Sequence, residues 1–460
     1  MEKPSSLPAA TEVATPSTPN PLRTVTLLTA TCIVIADMIG TGVFTSLGFQ
    51  VGDLPTGFAI LALWAVGGVC ALCGALCYGE LAAALPRSGG EYHFLSVIYH
   101  PAAGFLAGWI SATVGFAAPV ALAAMAFGKY LCAVLPGVPA VALSLGAVWV
   151  ITLILLGDLK LGSAFQNTAT LLKIALIVTI VAAGFLLPHA QPISFLPAPG
   201  DLRLITSGPF AVSLVYVMYA YSGWNGSVYI VGEVRDPARN LPLSLGLGTA
   251  VVAALYLALN AAFLRSTPAV EMAGKVEVAL VAGTYIFGAA GAKIMAVLIC
   301  AGLVSAISAM MWTGPRVTMA MGEDLHALRW LSRRTAHGIP ARAVLVQAGI
   351  ASALLLTASF EKVLTYVQFS LIVSSFATVL GVIVLRWTRP ELPRPCKTWG
   401  YPVTPLIFLA ISAWMMAHIL RSHPGESLAG LATMAAGLMV YFFSPKTTGI
   451  GRMTNDSENQ

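Results

Sequence analysis

The sequence predicts an all-α membrane protein of twelve transmembrane helices, in which the first and sixth helices are broken near mid-membrane. Composition is the first reason, because 57% of the 460 residues are hydrophobic and 10% are charged, whereas soluble domains carry about 25% charged residues. The second reason is a series of apolar segments of membrane length, and the third is a glycine-containing interruption inside two of them. Such a chain has too few polar side chains to cover a water-soluble surface.

Apolar segments long enough to cross a bilayer recur along the chain. A transmembrane helix needs about 20 mostly apolar residues. Segments of this kind are predicted at residues 24–50, 56–84, 96–131, 138–157, 163–187, 206–233, 240–264, 287–321, 341–358, 362–386, 403–421 and 426–443. An even number of crossings puts both termini on the same side of the membrane.

Basic residues are divided unevenly between the two sides of this predicted fold. Of the 25 Lys and Arg residues, 17 fall on the side of the N-terminus, 7 fall on the opposite side, and Lys173 falls within the bilayer. Because loops rich in Lys and Arg remain in the cytoplasm, both termini are predicted to be cytoplasmic. The net charge of +6 then reflects topology in a cell membrane, the inner membrane if the source is bacterial, and does not indicate nucleic-acid binding.

The remaining sequence signals argue against an enzyme, a cofactor or a metal site. Residues 1–21 lack the basic-then-apolar layout of a signal peptide, so they are predicted to be a disordered cytoplasmic tail, and residues 444–460 a second tail. No HExxH, Gly-x-Ser-x-Gly or Gly-Lys-Ser motif occurs, and the seven His residues lie in loops or at span ends. Most of the seven Cys residues lie in apolar spans, where cysteine behaves as a small hydrophobic residue.

Glycines interrupt the first span near its middle. Gly40, Thr41 and Gly42 lie within the apolar segment 33–49. Unwound backbone inside a bilayer is tolerated only where its polar groups face protein, water or a ligand. A binding site at membrane depth is therefore predicted, although the alternative is that the glycines only allow two helices to pack closely.

The chemistry of such a break suits an amino-acid zwitterion. The half-helix that begins at Thr41 and Gly42 would present unpaired N–H groups to a carboxylate, and the Thr41 hydroxyl would add a donor. The carbonyl groups that end the first half-helix, near Met38 and Ile39, would attract an ammonium group. One break thus offers partners for both poles of an amino acid.

A second interruption lies in the sixth span, at Ser222, Gly223, Trp224, Asn225 and Gly226. The aromatic residues Tyr219, Tyr221 and Trp224 would set apolar surface beside small polar groups, which suits closure over a small amphipathic substrate. The alternative is that these aromatic residues only pack between helices. Two breaks in corresponding spans are typical of a secondary transporter built from an internal repeat.

Two ionisable residues lie deep inside the predicted spans, which makes them functional candidates. Lys173 could donate to the loose carbonyl groups of the first break, where a sodium-coupled carrier would bind its cation. It could also carry a proton or serve as a fixed structural cation. Asp37 could select a cationic side chain, accept a proton or pair with Lys173. Glu80 and Glu91, near the ends of later spans, are predicted to be structural or gating residues.

The chain resembles the amino acid, polyamine and organocation transporter superfamily, and in particular the L-type amino acid transporters and their bacterial relatives. The resemblance covers residues 24–443. It is carried by five pieces of sequence, which are Gly40-Thr41-Gly42-Val43-Phe44, the run from Tyr78-Gly79-Glu80-Leu81 to Pro86-Arg87-Ser88-Gly89-Gly90-Glu91-Tyr92, Lys173, Tyr219 to Asn225, and Asp236-Pro237-Ala238-Arg239-Asn240-Leu241-Pro242.

The resemblance implies a LeuT-like fold, with a ten-helix transport core at 22–386 made of two inverted repeats of five helices, about 22–187 and 206–386. Helices 11 and 12, at 387–443, stand outside the repeat. It further implies that the substrate carboxylate binds at Thr41 and Gly42 and that the ammonium binds at the carbonyl groups of Met38, Tyr219 and Ser222. Tyr219 would be a gating aromatic residue. Lys173 matches a lysine of the fifth helix that occupies the space of a sodium ion.

Relatives of this kind are sodium-independent, so the resemblance implies an amino acid carrier that works by alternating access, with exchange favoured and proton symport as the alternative. A channel is disfavoured because the spans show isolated polar residues and no continuous polar path.

The chain departs from the family pattern at two places: Asp37 replaces a usually neutral residue, and the segment 310–315 differs from the family pattern. The short stretch 135–140 leaves little room for the cysteine-bearing loop that binds an accessory glycoprotein in animal members, so no such partner is expected.

Overall fold

A computed structural model of the chain describes residues 25–87, 89–157, 163–186, 191–324, 326–335 and 339–444. The two predicted tails therefore lie outside the described residues, apart from Ser444. The described residues are helical, and their only β-type pairing is an isolated bridge between Val25 and Val234. The all-α fold class predicted from the sequence is confirmed for this part of the chain.

Seventeen α-helices make up the described part of the chain. In chain order they are α1 (Leu27–Met38), α2 (Gly42–Thr45), α3 (Gly57–Ala84), α4 (Glu91–Ile98), α5 (Pro101–Ile110), α6 (Ala117–Cys132), α7 (Ala140–Leu156), α8 (Ser163–Leu186), α9 (Asp201–Ile205), α10 (Gly208–Ala220), α11 (Pro237–Ser266), α12 (Ala269–Met272), α13 (Val278–Asp324), α14 (Ala341–Thr357), α15 (Phe360–Thr388), α16 (Val403–Ser422) and α17 (Pro424–Phe443).

Nine helical segments of the described chain are long and apolar enough to cross a membrane. They are Leu27–Phe49, Gly57–Ala84, Pro101–Cys132, Thr168–Leu186, Pro237–Ser266, Val278–Met319, Phe360–Thr388, Val403–Ser422 and Pro424–Phe443. Three shorter apolar helices, α7, α10 and α14, coincide with the predicted spans 138–157, 206–233 and 341–358. The helix α10 is short because the sixth predicted span is interrupted, and a 3₁₀ segment, Gly226–Glu233, follows the interruption.

The third and eighth predicted spans differ from the observed helices. In place of one helix over 96–131, the chain forms α4, α5, a π-helical turn at Ser111–Gly115 and then α6. The boundary between α4 and α5 arises because the His100 side chain accepts from the Ala102 N–H at 3.1 Å and Pro101 starts the new helix. The helix α13 begins at Val278, but Gly288, at φ 72° and ψ 175°, is not helical, so two helices meet at a kink there and the second begins close to the predicted residue 287.

Long helices enclose the two interrupted ones. The helix α11 packs against α1, α3 and α8, and α13 packs against α6 and α8. Small residues allow the close approach: a Cβ atom placed on Gly248 of α11 would lie 2.7 Å from the Val34 side chain of α1. The broken ends of α1 and α10 are thereby buried in protein, as unwound backbone at membrane depth requires.

Candidate functional site

A cavity of about 400 Å³ lies between the two interruptions, a size suited to a small ligand. Residues of both interruptions line it, and α8, α13, α15 and the π-helical turn complete the wall. Of the residues that the sequence analysis assigned to substrate binding, coupling or selectivity, those that line it are Asp37, Met38, Gly40, Thr41, Gly42, Lys173, Tyr219, Ser222, Gly223, Trp224 and Asn225. The sequence analysis placed these residues in a binding site, and the fold brings their surfaces to one cavity.

At the first interruption the chain leaves α1 and re-enters a helix within three residues. Gly40 N–H donates to the Met38 carbonyl at 2.8 Å, which tightens the end of α1 into a turn. The next helix, α2, begins at Gly42. In the described part of the chain, the backbone N–H groups of Thr41 and Gly42 have no hydrogen-bond partner. Two donors are thus available beside the cavity.

The second interruption follows the same plan. The Ser222 N–H donates to the Tyr219 carbonyl at 3.0 Å, and Gly226 N–H donates to the Gly223 carbonyl at 2.9 Å. Gly223 has φ 99°, which only glycine adopts at little cost. The Ser222 carbonyl has no donor among the described residues, whereas the Tyr219 carbonyl accepts from the N–H groups of both Ser222 and Tyr221.

The two interruptions touch each other directly. A Cβ atom on Gly42 would lie 2.3 Å from Ala220 Cα, at the end of α10. A Cβ atom on Gly223 would lie 2.8 Å from the Asp37 backbone oxygen. Glycine at both positions therefore lets the broken ends approach to backbone contact, so both the close-packing role and the unwinding role considered for the glycines apply.

Tyr256 of α11 ties the two helix ends together, and sequence analysis did not find it. Its buried hydroxyl lies 2.6 Å from the Met38 carbonyl and 3.2 Å from the Ala220 carbonyl. The Met38 oxygen thus receives donors from both Gly40 and Tyr256, which occupies its two lone pairs. Met38 lines the cavity, but its carbonyl is not free for the ammonium contact that the resemblance implied.

Lys173 caps the end of α1. Its Nζ atom donates to the Ile39 carbonyl at 2.7 Å and to the Ala36 carbonyl at 3.2 Å, and the side chain is 5% exposed. Its aliphatic stem packs on α13, where a Cβ atom on Gly302 would lie 3.0 Å from Lys173 Cγ. Ile39 itself is fully buried and enters the site only through its carbonyl. The ammonium group thus satisfies carbonyl oxygens that the break leaves without N–H partners.

Asp37 lies one turn before the break, with its carboxylate exposed in the cavity. Lys173 is near enough for an electrostatic interaction, but no ion pair within 4 Å and no hydrogen bond to the Asp37 side chain occur among the described residues. Of the three roles predicted for Asp37, direct pairing with Lys173 is not what the structure shows.

Two carboxylates that the sequence analysis treated alike, Glu80 and Glu91, have different surroundings. Glu80 accepts from Arg386 at 2.9 and 2.6 Å and from the Thr398 N–H at 2.6 Å, a buried bidentate ion pair. Glu91 lines the cavity, where it accepts hydrogen bonds from the hydroxyl groups of Tyr78, Ser374 and Ser375. The prediction of a structural residue fits Glu80, whereas Glu91 belongs to the cavity wall.

Several other residues of the cavity wall were not predicted from the sequence. They include Ser111, Gly115 and Phe116 of the π-helical turn, Tyr229 and Gln368. A π-helical turn exposes backbone groups and is frequent at functional sites, but it leaves no clear mark in an apolar sequence. A polar residue inside an apolar span, such as Gln368 in α15, was the available signal.

The family model described as "Amino acid permease" matches residues 25–443. The human b(0,+)-type amino acid transporter 1 is 28% identical over 436 residues, which are 93% of this chain and 89% of that protein.

Two further relatives come from mouse. The Asc-type amino acid transporter 1 is 26% identical over 427 residues, which are 90% of this chain and 80% of that protein. The large neutral amino acids transporter small subunit 2 is 27% identical over 430 residues, again 90% of this chain and 80% of the relative. These likenesses cover at least 90% of this chain, and the family match includes both interruptions.

Proposed function

Because this chain belongs to the amino acid permease family, we propose that it is a sodium-independent secondary transporter that exchanges amino acids across the membrane by alternating access. Its family match extends over 25–443. It is a multi-pass membrane protein of a transporter family and not an enzyme. The names of the three relatives described above refer to amino acid transport, which we extend to this chain as part of the proposal.

One observation carries the proposal. Two broken helices meet at one cavity, where the first provides unpaired N–H donors and the second provides an unpaired carbonyl acceptor. The free N–H groups of Thr41 and Gly42 suit a carboxylate, and the free Ser222 carbonyl suits an ammonium. Since the carbonyl groups of Met38 and Tyr219 already have two donors each, we assign the ammonium to the Ser222 carbonyl.

Sodium independence is supported by the position of Lys173. Its ammonium group lies against the carbonyl oxygens of Ala36 and Ile39, and carbonyl oxygens at a broken helix are the groups that would otherwise coordinate a cation. A sodium ion bound to the same carbonyl oxygens would be repelled at short range by the ammonium group of Lys173. The coupling ion is therefore replaced by a side chain.

Alternating access requires two halves that move against each other, and the helix order supports this. Each half would begin with a broken helix, α1 with α2 in one and α10 with the 3₁₀ segment in the other. Each would end with a long helix, α8 or α15. We propose twelve membrane crossings with both termini cytoplasmic, an inverted repeat of five helices, and α16 and α17 outside it.

Tyr219 is proposed to close over the bound substrate. It lies at the second interruption, is 7% exposed, and faces Thr41 of the first. Replacing Tyr219 with Ala should slow transport more than it weakens binding, because the backbone contacts to substrate remain. An equal loss of both would make it a contact residue and not a gate.

Proton symport is the second candidate, because two carboxylates, Asp37 and Glu91, line the cavity. Either group could take up a proton with the substrate. A channel is not supported, since the cavity is bounded by touching helix ends at Gly42 and Ala220.

Binding of substrate analogues to the purified protein tests the proposed site. An amino acid should displace a bound labelled amino acid, whereas its amide and its des-amino analogue should each compete at least about tenfold less well, the effect of losing one charged hydrogen bond. Analogues matched in side chain provide the control. Equal competition by all three compounds would show that the two poles are not recognised.

A further inference from the structure

Asp37 is the carboxylate of the described cavity wall that accepts no hydrogen bond and forms no ion pair within 4 Å. The other one, Glu91, receives three hydroxyl donors from the protein. Asp37 receives none from the described residues and is exposed in the cavity. The two carboxylates thus have different surroundings. Glu91 is hydrogen-bonded to protein groups of the cavity wall, whereas Asp37 is available to a ligand in the cavity.

The Asp37 carboxylate lies between a glycine of the second interruption and a lysine that has other partners. A Cβ atom on Gly226 would lie 2.1 Å from Asp37 Oδ2, so the carboxylate lies against the second interruption and needs glycine there. Lys173, the nearby cation, is committed to the carbonyl groups of Ala36 and Ile39.

A charged carboxylate at membrane depth is costly unless it is paired or hydrogen-bonded. The backbone of the two breaks already provides for both poles of a zwitterion, with N–H donors at Gly42 and a carbonyl acceptor at Ser222. A negative charge beyond these contacts therefore calls for a third group on the substrate, and that group must be a cationic donor.

We propose that Asp37, exposed in the cavity against Gly226, is a specificity site for a cationic side chain, so that the preferred substrates are dibasic amino acids. This inference rests on the proposed function and adds the class of substrate to it. A guanidinium or a second ammonium group would donate to the carboxylate while the α-amino and α-carboxyl groups contact the breaks.

Competition by arginine and by citrulline tests the proposal, because citrulline has nearly the same shape with a neutral urea in place of the guanidinium. In the wild-type protein, arginine should compete for binding at least about tenfold better than citrulline, as expected for a charge-assisted hydrogen bond. In Asp37→Asn the two should compete within about threefold of each other, with citrulline binding retained. Asp53→Asn, which removes the same charge from an exposed residue outside the cavity lining, should keep the wild-type ratio.

Several outcomes would overturn this assignment. Equal binding of arginine and citrulline by the wild type would do so without any variant. An equal weakening of both in Asp37→Asn would mean that Asp37 contacts the α-ammonium group. A change in proton-driven uptake at an unchanged ratio would mean that it carries a proton. If neutral amino acids bind without a preference for cations, only this inference fails, whereas if no amino acid binds at all, the proposed function fails.

Discussion

Lys173→Met should reduce amino acid uptake to less than about a tenth of the wild-type rate. Methionine keeps most of the aliphatic stem that packs on Gly302 but removes the donor to the Ala36 and Ile39 carbonyl groups. Each buried carbonyl left without a donor costs about 1–3 kcal/mol, and a difference of 1.4 kcal/mol is tenfold in an equilibrium. The end of α1 would then rearrange at the place where substrate binds.

The measurement is uptake per mole of protein in liposomes, with the amount inserted checked for each variant. Lys129→Met, at an exposed position of α6, is the matched control and should transport normally. Wild-type uptake should also be the same when sodium is replaced by choline, because the ammonium group already occupies the cation position. Full activity of Lys173→Met, or strict sodium dependence of the wild type, would contradict the role given to Lys173.

Gly42→Val should abolish uptake while the protein still reaches the membrane. A Cβ atom at this position would lie 2.3 Å from Ala220 Cα and 2.7 Å from Ala220 Cβ, and backbone cannot yield as a flexible side chain would. The substitution would therefore force the two interruptions apart, at a cost of at least about 1–3 kcal/mol for overpacking. The same shift would move the N–H groups of Thr41 and Gly42 away from the carboxylate.

Binding and uptake should both be lost in this variant, with the protein still monodisperse in detergent. Gly146→Val is the matched control, since no atom lies within 4 Å of a Cβ placed on Gly146 of α7, and it should retain most of the activity. Near-normal affinity in Gly42→Val would show that contact between the breaks is not needed for the site.

The breaks could be predicted from sequence because glycines inside an apolar span have few uses other than close packing and unwinding. The position of Lys173 followed from the cost of a charge at membrane depth, which leaves broken-helix carbonyl groups among its few partners. Both predictions depend only on the local sequence and on the lipid environment, so they can be made without knowing the tertiary fold.

Other features of the site depend on how distant helices meet, so sequence alone did not reveal them. Tyr256 is one apolar-span tyrosine among several until α11 is placed against both helix ends. Glu91 looked like part of a loop until α4 directed it to the cavity. The part of α13 that precedes Gly288 was not predicted, because it is joined to the predicted span only at a kink. Hydropathy indicates how long an apolar segment is, but not where its helix bends or which helices it contacts.

The proposal that this protein exchanges amino acids is tested most directly by uptake into liposomes with and without internal amino acid. The account predicts that external labelled amino acid accumulates only when the vesicles contain unlabelled amino acid, with sodium or without it, and that a pH gradient has little effect. Acid-stimulated uptake into empty vesicles would instead indicate proton symport. Flux that neither saturates nor depends on internal substrate would contradict a carrier of any kind.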